Sequence, residues 1–225
     1  MFKTETHLHT CEVSSCSKLH ASELIKLYKE AGYSTVFVSD HFQKRTLDTF
    51  GDLPWTHKVS IFVAGYNRAR LAGEKFGVNV LFAAEFCFPD DKNHYLAYGV
   101  TREFLDAHPD LDNMSAEEFF RIAHEEGIFI VHAHPYRDAC RAPKPELVDA
   151  IEIYNSNPRH ENNTPLAEAL ADNTGLPITA GSDTHRPEDV ALTGIITETE
   201  IKTVEDYIRA VKSGSLKIIR NEDGV

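Results

Sequence analysis

Apolar positions along the chain recur with two periods. Helical spacing at Leu24, Ile25, Leu27 and Tyr28 predicts a helix over residues 21–31, stopped by Gly32. Val59, Phe62, Val63, Tyr66 and Ala69 predict a longer helix over 57–76, ended by Gly77. Ser115-Ala-Glu-Glu118 reads as a capping box that opens a helix to Glu126, with Gly127 after it. Pro165, after Thr164, suits the first position of a helix running to Thr174. Thr203-Val-Glu-Asp206 opens a last helix ending near Gly214, and residues 145–149 suit one short turn. Between these segments lie short β-branched or apolar runs at 4–9, 35–39, 79–84, 95–100, 128–131, 150–154, 178–180, 194–197 and 216–219. Most are separated by helices, the signature of parallel βα units. Val36-Phe37-Val38 and Ile128-Phe129-Ile130-Val131 are apolar throughout, as strands covered on both faces are. No repeat, low-complexity tract or Pro/Gly-rich linker interrupts the pattern, so a single domain over residues 1–225 is expected.

Composition adds exclusions. Hydrophobic residues make up 42% and charged residues 26%, ordinary for a soluble globular chain. No apolar run approaches the roughly 18 residues needed to span a bilayer. The first residues lack the apolar core of a signal peptide, which predicts a cytoplasmic protein. Lys and Arg number 23 against 35 Asp and Glu, for a net charge of −12. With no cluster of basic residues, duplex nucleic acid is disfavoured as a partner, while a short nucleotide substrate is compatible. The acidity serves solubility or cation binding. Cys11, Cys16, Cys87 and Cys140 form no CxxC pair, so reduced thiols are expected instead of a zinc ribbon or thioredoxin motif.

Histidine changes the picture through its placement. His7 and His9 stand two apart on the first predicted strand and share a face. Asp40 and His41 follow the strand at 35–39, and Glu85 follows the strand at 79–84. His132 and His134 follow 128–131, Glu152 and Asn155 lie in and after 150–154, and Asp183 and His185 follow 178–180. Each alone has a bland explanation: an N-cap, a solvated loop, turn chemistry at Gly181-Ser-Asp-Thr-His185. Bland causes do not place His or carboxylate at the same end of strand after strand. In a parallel βα barrel those ends meet at one face, where active sites are built. Imidazole with carboxylate suits zinc, manganese or iron better than magnesium or calcium. The candidates are too many for one tetrahedral ion, and two or three divalent ions sharing Glu85 would use them. Paired ions are the usual apparatus of phosphoester hydrolysis.

His7-Leu-His9-Thr10, Ser39-Asp40-His41, Ala84-Glu85, His94 before Tyr95, Ala133-His134-Pro135, Glu152-Ile-Tyr-Asn155 and Gly181-Ser-Asp183-Thr-His185 together resemble the ordered motifs of the PHP (polymerase and histidinol phosphatase) family. The resemblance runs from His7 to about Pro187. It implies an α/β fold, a distorted seven-stranded (β/α)7 TIM-like barrel, with a two- or three-metal phosphoesterase site at its mouth. It further implies that His7 and His9 hold one ion with Glu85 and Asp183. Glu85 bridges to a second ion held by His94 and His134, and His41 and His185 hold a third. One more ligand is expected in the loop after His9, where many members carry Asp or His. Glu12 is the acidic residue available and is taken as that ligand, with Ser14, Ser15 and Ser17 as poor alternatives. Cys11 and Cys16 flank the spot, and a thiolate there would favour zinc. Asp40 is expected to orient a neighbour, and His132 to orient His134 or to serve the core. His20, His57, His108 and His124 are expected in solvated or core roles.

The leading reading is a hydrolase in which a metal-activated hydroxide attacks a phosphomonoester, with Glu85 and Asp183 central to catalysis. Arg137, three residues after His134, and Arg159 are candidates to grip phosphate. His160 is a candidate proton donor to the leaving group. Histidinol phosphate, a nucleoside mono- or bisphosphate, an oligonucleotide or a phosphotyrosyl peptide would fit, selected by loops at 43–56, 87–93 and 136–144. The rivals are a C–N hydrolase of the amidohydrolase type, a proofreading exonuclease, and a non-catalytic metal-binding regulatory barrel. Carbamylated-lysine variants of the first need a Lys at a strand end, and none stands at the ends named here.

Overall fold

The computed structural model describes residues 1–138, 140 and 143–220. Ten strands form its sheet: β1 (Phe2–Leu8), β2 (Tyr33–Val38), β3 (His41–Gln43), β4 (Asn79–Cys87), β5 (His94–Tyr98), β6 (Phe129–Ala133), β7 (Ala150–Asn155), β8 (Ile178–Gly181), β9 (Gly194–Thr197) and β10 (Lys217–Ile219). The helices are α1 (Ala21–Glu30), α2 (Lys44–Asp48), α3 (Trp55–Phe62), α4 (Ala64–Phe76), α5 (Arg102–Ala107), α6 (Ala116–Glu125), α7 (Thr164–Thr174) and α8 (Val204–Ser213). The capping boxes at Ser115/Glu118 and Thr203/Asp206 form as expected and start α6 and α8. The helix expected over 57–76 is interrupted at Val63, giving α3 and α4. The short elements β3, α2 and α5 have too few residues to show a period in the sequence.

Nine strands lie on one path in the order β10-β9-β1-β2-β4-β5-β6-β7-β8, with β3 paired to β4 beside it. The sheet is barrel-like and almost closed. The near-closure brings β1 to the segment after β8: Leu8 bridges Thr184, with His9 N donating to Thr184 O at 3.0 Å and Thr184 N to His7 O at 3.3 Å. The sheet is also mixed, a difference from the expected seven parallel βα units. Pairs β1·β2, β2·β4, β6·β7 and β7·β8 are parallel, whereas β5 runs antiparallel between β4 and β6. The reversal is short-range: only residues 88–93 separate β4 from β5, too few for a crossover helix, so the chain turns back as a hairpin. Strand β9 adds antiparallel to β1, and β10 antiparallel to β9.

Helices cover the outer faces, with α1 and α4 packing over β1, β2 and β4 through Leu24, Ile25, Tyr28, Ala69 and Ala72. At the end opposite the histidines, α8 sends Tyr207 against Phe37 and Tyr98, with ring centroids 4.9 and 4.5 Å away. Its hydroxyl meets Thr179 Oγ1 at 3.1 Å. Burying an aromatic of this size gains roughly 2–3 kcal/mol. This plug fixes the barrel floor while the loops at the other end stay free to carry polar chemistry. Among the described residues, no helix is long and apolar enough to cross a membrane.

Candidate metal centre

Eight of the expected ligands, all but Glu12, converge at the mouth of the barrel. His7 is the last residue but one of β1, with His9 just beyond the strand, and His41 opens β3 directly beside its register partner Glu85 on β4. His134 follows β6, and Asp183 and His185 follow β8. His94 stands at the first residue of β5, and the antiparallel run of that strand brings its start to the same rim where the parallel strands end.

Glu85 is the hub. Its carboxylate is buried and lies 2.6 Å from His41 Nδ1, 2.9 Å from His94 Nδ1, 3.0 Å from His134 Nε2, 3.4 Å from His9 Nε2 and 3.5 Å from His7 Nε2. Asp183 Oδ1 lies 3.2 Å from His9 Nε2, 3.3 Å from His185 Nδ1 and 3.5 Å from His7 Nε2. His134 and Asp183 both adopt left-handed backbone conformations, with φ of 30° and 51°. A non-glycine residue held there stores strain of the order of 1–3 kcal/mol, which the surrounding contacts must offset.

Several buried groups hold these residues in place. The pairing of β1 with β2 slips between Glu5 and Leu8, a bulge that releases amides from the ladder. The buried carboxylate of Glu5 takes up the amides of Thr6, His7 and Ser182, each at 2.9 Å, and accepts from Tyr28 Oη at 2.7 Å. It thereby ties the His7 strand to the loop bearing Asp183. A second slip, between Glu152 and Tyr154 on β7, accompanies Glu152, whose Oε1 meets His7 Nδ1 at 3.0 Å. Its Oε2 accepts from His134 N and Asn155 Nδ2, both at 2.9 Å. A carboxylate on the far nitrogen of a ligand imidazole fixes its tautomer and its aim. Asp40 orients a neighbouring segment, as expected: it accepts Thr10 N at 2.8 Å, Thr10 Oγ1 at 2.7 Å and Ser14 Oγ at 2.7 Å. Gly65 on α4 permits this approach, since a Cβ there would meet Thr10 Oγ1 at 2.2 Å and Asp40 Oδ2 at 2.6 Å.

The donor set fits divalent metal. His9 Nδ1, His41 Nδ1, His134 Nδ1, Glu85 Oε2 and Asp183 Oδ1 are buried without a hydrogen-bond partner, although His41 Nδ1 and Glu85 Oε2 nearly touch. An orphaned buried polar atom costs about 1–3 kcal/mol, and five at one spot mark a site built for another partner. Charge tells the same story. Burial works against ionising Glu85 and Asp183, yet the surrounding imidazoles, and Arg137 for Asp183, hold both well below the usual carboxylate range. Burial likewise opposes a proton on His7, but Glu152, Asp183 and Glu85 outweigh it and hold His7 well above its ordinary value. His41 is raised for the same reason by Glu85, and His94 reaches about 9. Burial wins at His9 and His134, which are pushed well down and stay neutral. The raised imidazoles supply positive charge that a cation on the same nitrogens would supply instead.

Four expected site residues are engaged elsewhere. The buried carboxylate of Glu12 turns to the start of α1, accepting Ala21 N at 3.1–3.2 Å beside Cys11 and His20. The amide donors at a helix start attract it there, which corrects its expected place among the ligands. Arg137 is buried and donates to Asp183 Oδ2 at 2.6 Å, to Asn162 Oδ1 at 2.9 Å and to Asn155 Oδ1, so it steadies a ligand instead of standing free for phosphate. Arg159 forms a fork with Asp189, and His160 pairs with Asp138 at 2.7 Å. Of the three loops expected to select substrate, the one at 136–144 includes residues 139, 141 and 142, which lie outside the described residues.

Sequence reasoning gave too little weight to two cysteines. Cys16 is exposed, and its thiol lies beside His185 and His41. Burial of that thiol alone would raise it, and the two imidazoles outweigh this to bring it down to about 6. Cys87, two residues beyond Glu85 on the same strand, hydrogen-bonds His94. Only the even spacing on a strand could have signalled Cys87, and Cys16 was signalled only by its place in the loop after His9, shared with Cys11.

The fold and this cluster define a barrel-like sheet with His and carboxylate side chains, of types that could hold divalent metal, gathered at its mouth. The chain's residues 161–216 match the family model described as PHP-associated. Similar solved structures include a two-domain protein of Bacteroides vulgatus containing a predicted PHP-like metal-dependent phosphoesterase. It is 16% identical with a TM-score of 0.71, over 98% of this chain and 65% of that one. This chain therefore spans just under two thirds of that protein. PsfC from Pseudomonas syringae is 17% identical with a TM-score of 0.72, over 97% of this chain and 91% of that one. An amidohydrolase from Chromobacterium violaceum is 15% identical with a TM-score of 0.55, over 97% and 98%. No curated protein sequence matches the chain. The family model covers residues 161–216 only, and the similar structures share the fold.

Proposed function

We propose that this chain is a metal-dependent phosphoesterase acting on a phosphomonoester of a small metabolite or nucleotide. Two or three divalent ions (zinc, manganese or iron) would be held by His7, His9, His41, Glu85, His94, His134, Asp183 and His185. The observation that carries this reading is one buried carboxylate, Glu85, within 3.5 Å of five imidazoles. When bound, such ions acidify water and offset the charge of a phosphoryl group. The protein's own part is to hold the ligands still. Glu152 aims His7, and Arg137 takes Asp183 Oδ2 and leaves Oδ1 facing the cluster. With Arg137 and Arg159 engaged in ion pairs, the phosphate charge falls to the metal ligands' side of the site.

Cleavage of a C–N bond is the second reading, favoured by the amidohydrolase among the similar folds. One experiment separates the readings. The chain is loaded with zinc, manganese or ferrous iron and offered phosphomonoesters, phosphodiesters and amides. Inorganic phosphate released from a monoester, abolished by chelation and restored by metal, is the expected result. Turnover of amides alone would assign the chain to C–N hydrolysis. No turnover by metal-loaded protein would favour a regulatory barrel.

A further inference from the structure

We propose that Cys16 is a metal ligand of this centre, completing the corner formed by His41 and His185 and making that position selective for a thiophilic ion such as zinc. The inference rests on the metal-dependent reading above and gives to Cys16 the place in the loop after His9 for which Glu12 was expected. Three observations carry it.

The first is how the loop is held. Ser14 Oγ donates to Asp40 and accepts His41 N at 3.1 Å, which fastens one side of the loop to His41. Ser17 Oγ donates to His9 O at 2.9 Å and to His185 O at 3.3 Å, and Lys18 N donates to His185 O at 2.8 Å. These fasten the other side to His9 and His185. Cys16 lies between the two anchors, and its thiol is within hydrogen-bonding reach of both imidazoles.

The second is what the corner lacks. Ligand atoms of His9, His41 and His185 lie within 4.8 Å of one another. Asp183 Oδ1, 3.3 Å from His185 Nδ1, is buried without a hydrogen-bond partner, as is His9 Nδ1. Unpartnered buried atoms of these types beside three imidazoles mark a place for another partner. The third is that the acidic residue of this loop is unavailable: Glu12 satisfies the first amide of α1. Sulfur with imidazole is a common zinc set, whereas manganese and magnesium prefer oxygen. A thiol at this corner therefore discriminates among metals where Asp or Glu would not.

The test is cobalt(II) titration of the metal-free chain, followed by its visible d–d bands and its near-ultraviolet sulfur-to-cobalt charge-transfer band. Wild type, Cys16→Ser, Cys16→Asp and Cys87→Ser are compared, because Cys87 is the other thiol at the rim. The wild type and Cys87→Ser are expected to show the charge-transfer band. Cys16→Ser is expected to lose it together with about one ion per chain. Cys16→Asp is expected to keep that ion, lose the band and shift its preference from zinc toward manganese. A band that survives in Cys16→Ser, or that vanishes in Cys87→Ser alone, overturns the proposal. So does wild type that binds cobalt through d–d bands with no charge-transfer band, and this outcome leaves the metal-dependent reading standing. A wild type that binds no cobalt overturns both.

Discussion

Glu85→Gln is the sharpest perturbation of the site, because it changes one oxygen to nitrogen and leaves the volume almost unaltered. Five imidazoles approach the carboxylate within 3.5 Å, and its side chain is 1% exposed. A unit charge at about 4 Å interacts by roughly 4 kcal/mol at an effective dielectric constant of 20. Losing one such unit, at 1.36 kcal/mol per tenfold, corresponds to about 10³ in metal affinity or in turnover at saturating metal. The amide also presents a donor toward imidazole nitrogens that need an acceptor or an ion, which worsens the fit. Fold stability should change far less, since Glu85 sits at the mouth of the barrel and the aromatic plug around Tyr207 lies at the other end.

The assay has three readouts on the same preparations: metal per chain after dialysis, kcat on a generic phosphomonoester, and the thermal midpoint of metal-free protein. The expected pattern is loss of metal and of kcat by about 10³ with the midpoint within a few degrees of wild type. A Gln variant that keeps its metal and its turnover would refute the bridging role. A variant that unfolds would show instead that Glu85 holds the histidines together structurally, so that its charge cannot be read as a metal ligand's alone.

Glu152→Gln should weaken metal binding by about 10–100-fold while sparing the fold, because the amide has no charge and keeps one accepting oxygen where His7 and His134 N use two; equilibrium dialysis with zinc checks this. Metal binding should release protons, since His7, His41 and His94 are held above their ordinary values, His94 at about 9. Below pH 9, affinity should therefore rise about tenfold per pH unit for each proton displaced, measurable by calorimetry in buffers of different ionisation enthalpy. His132 is buried and, through burial, lowered to about 4. The unfolded chain takes up that proton near 6.5 and the folded chain does not until about 4, so wild type loses stability as pH falls through this window, by up to about 3 kcal/mol. His132→Phe should lack this loss, and urea unfolding at pH 7.5 and 4.5 would show the variant gaining on wild type at the lower pH.

What the sequence made legible follows from the range of the forces involved. Strands and capped helices are written locally, in alternation, apolar runs and Ser/Thr-x-x-Glu/Asp spacings, and the runs expected at 4–9 through 216–219 each overlap a strand. Strand direction is not local. The hairpin that reverses β5 depends on a short connection, and the apolar run at 95–100 reads the same in either direction. His94 still reaches the rim because reversing a strand exchanges its ends, which is why a ligand at the start of β5 joins ligands at the ends of the others.

The loop after His9 shows where residue type alone misleads. The family resemblance calls for Asp or His in this loop, so Glu12, the acidic residue available, ranked above Cys16. Position decided otherwise, through contacts separated by up to 168 residues in sequence: Ser17 to His185, Ser14 to Asp40, Glu12 to the start of α1. A helix start offers unpaired amides close to Glu12 in the chain, and a nearby carboxylate meets them at little entropic cost. The thiol is left at the corner because nothing local competes for it. The same logic removed Arg137, Arg159 and His160 from the role of free phosphate contacts, since each found a carboxylate on an adjacent loop: Asp183, Asp189 and Asp138. In an acidic chain of net charge −12, a surface cation near the mouth meets a partner before it meets a substrate, which leaves anion binding to whatever the buried histidines hold.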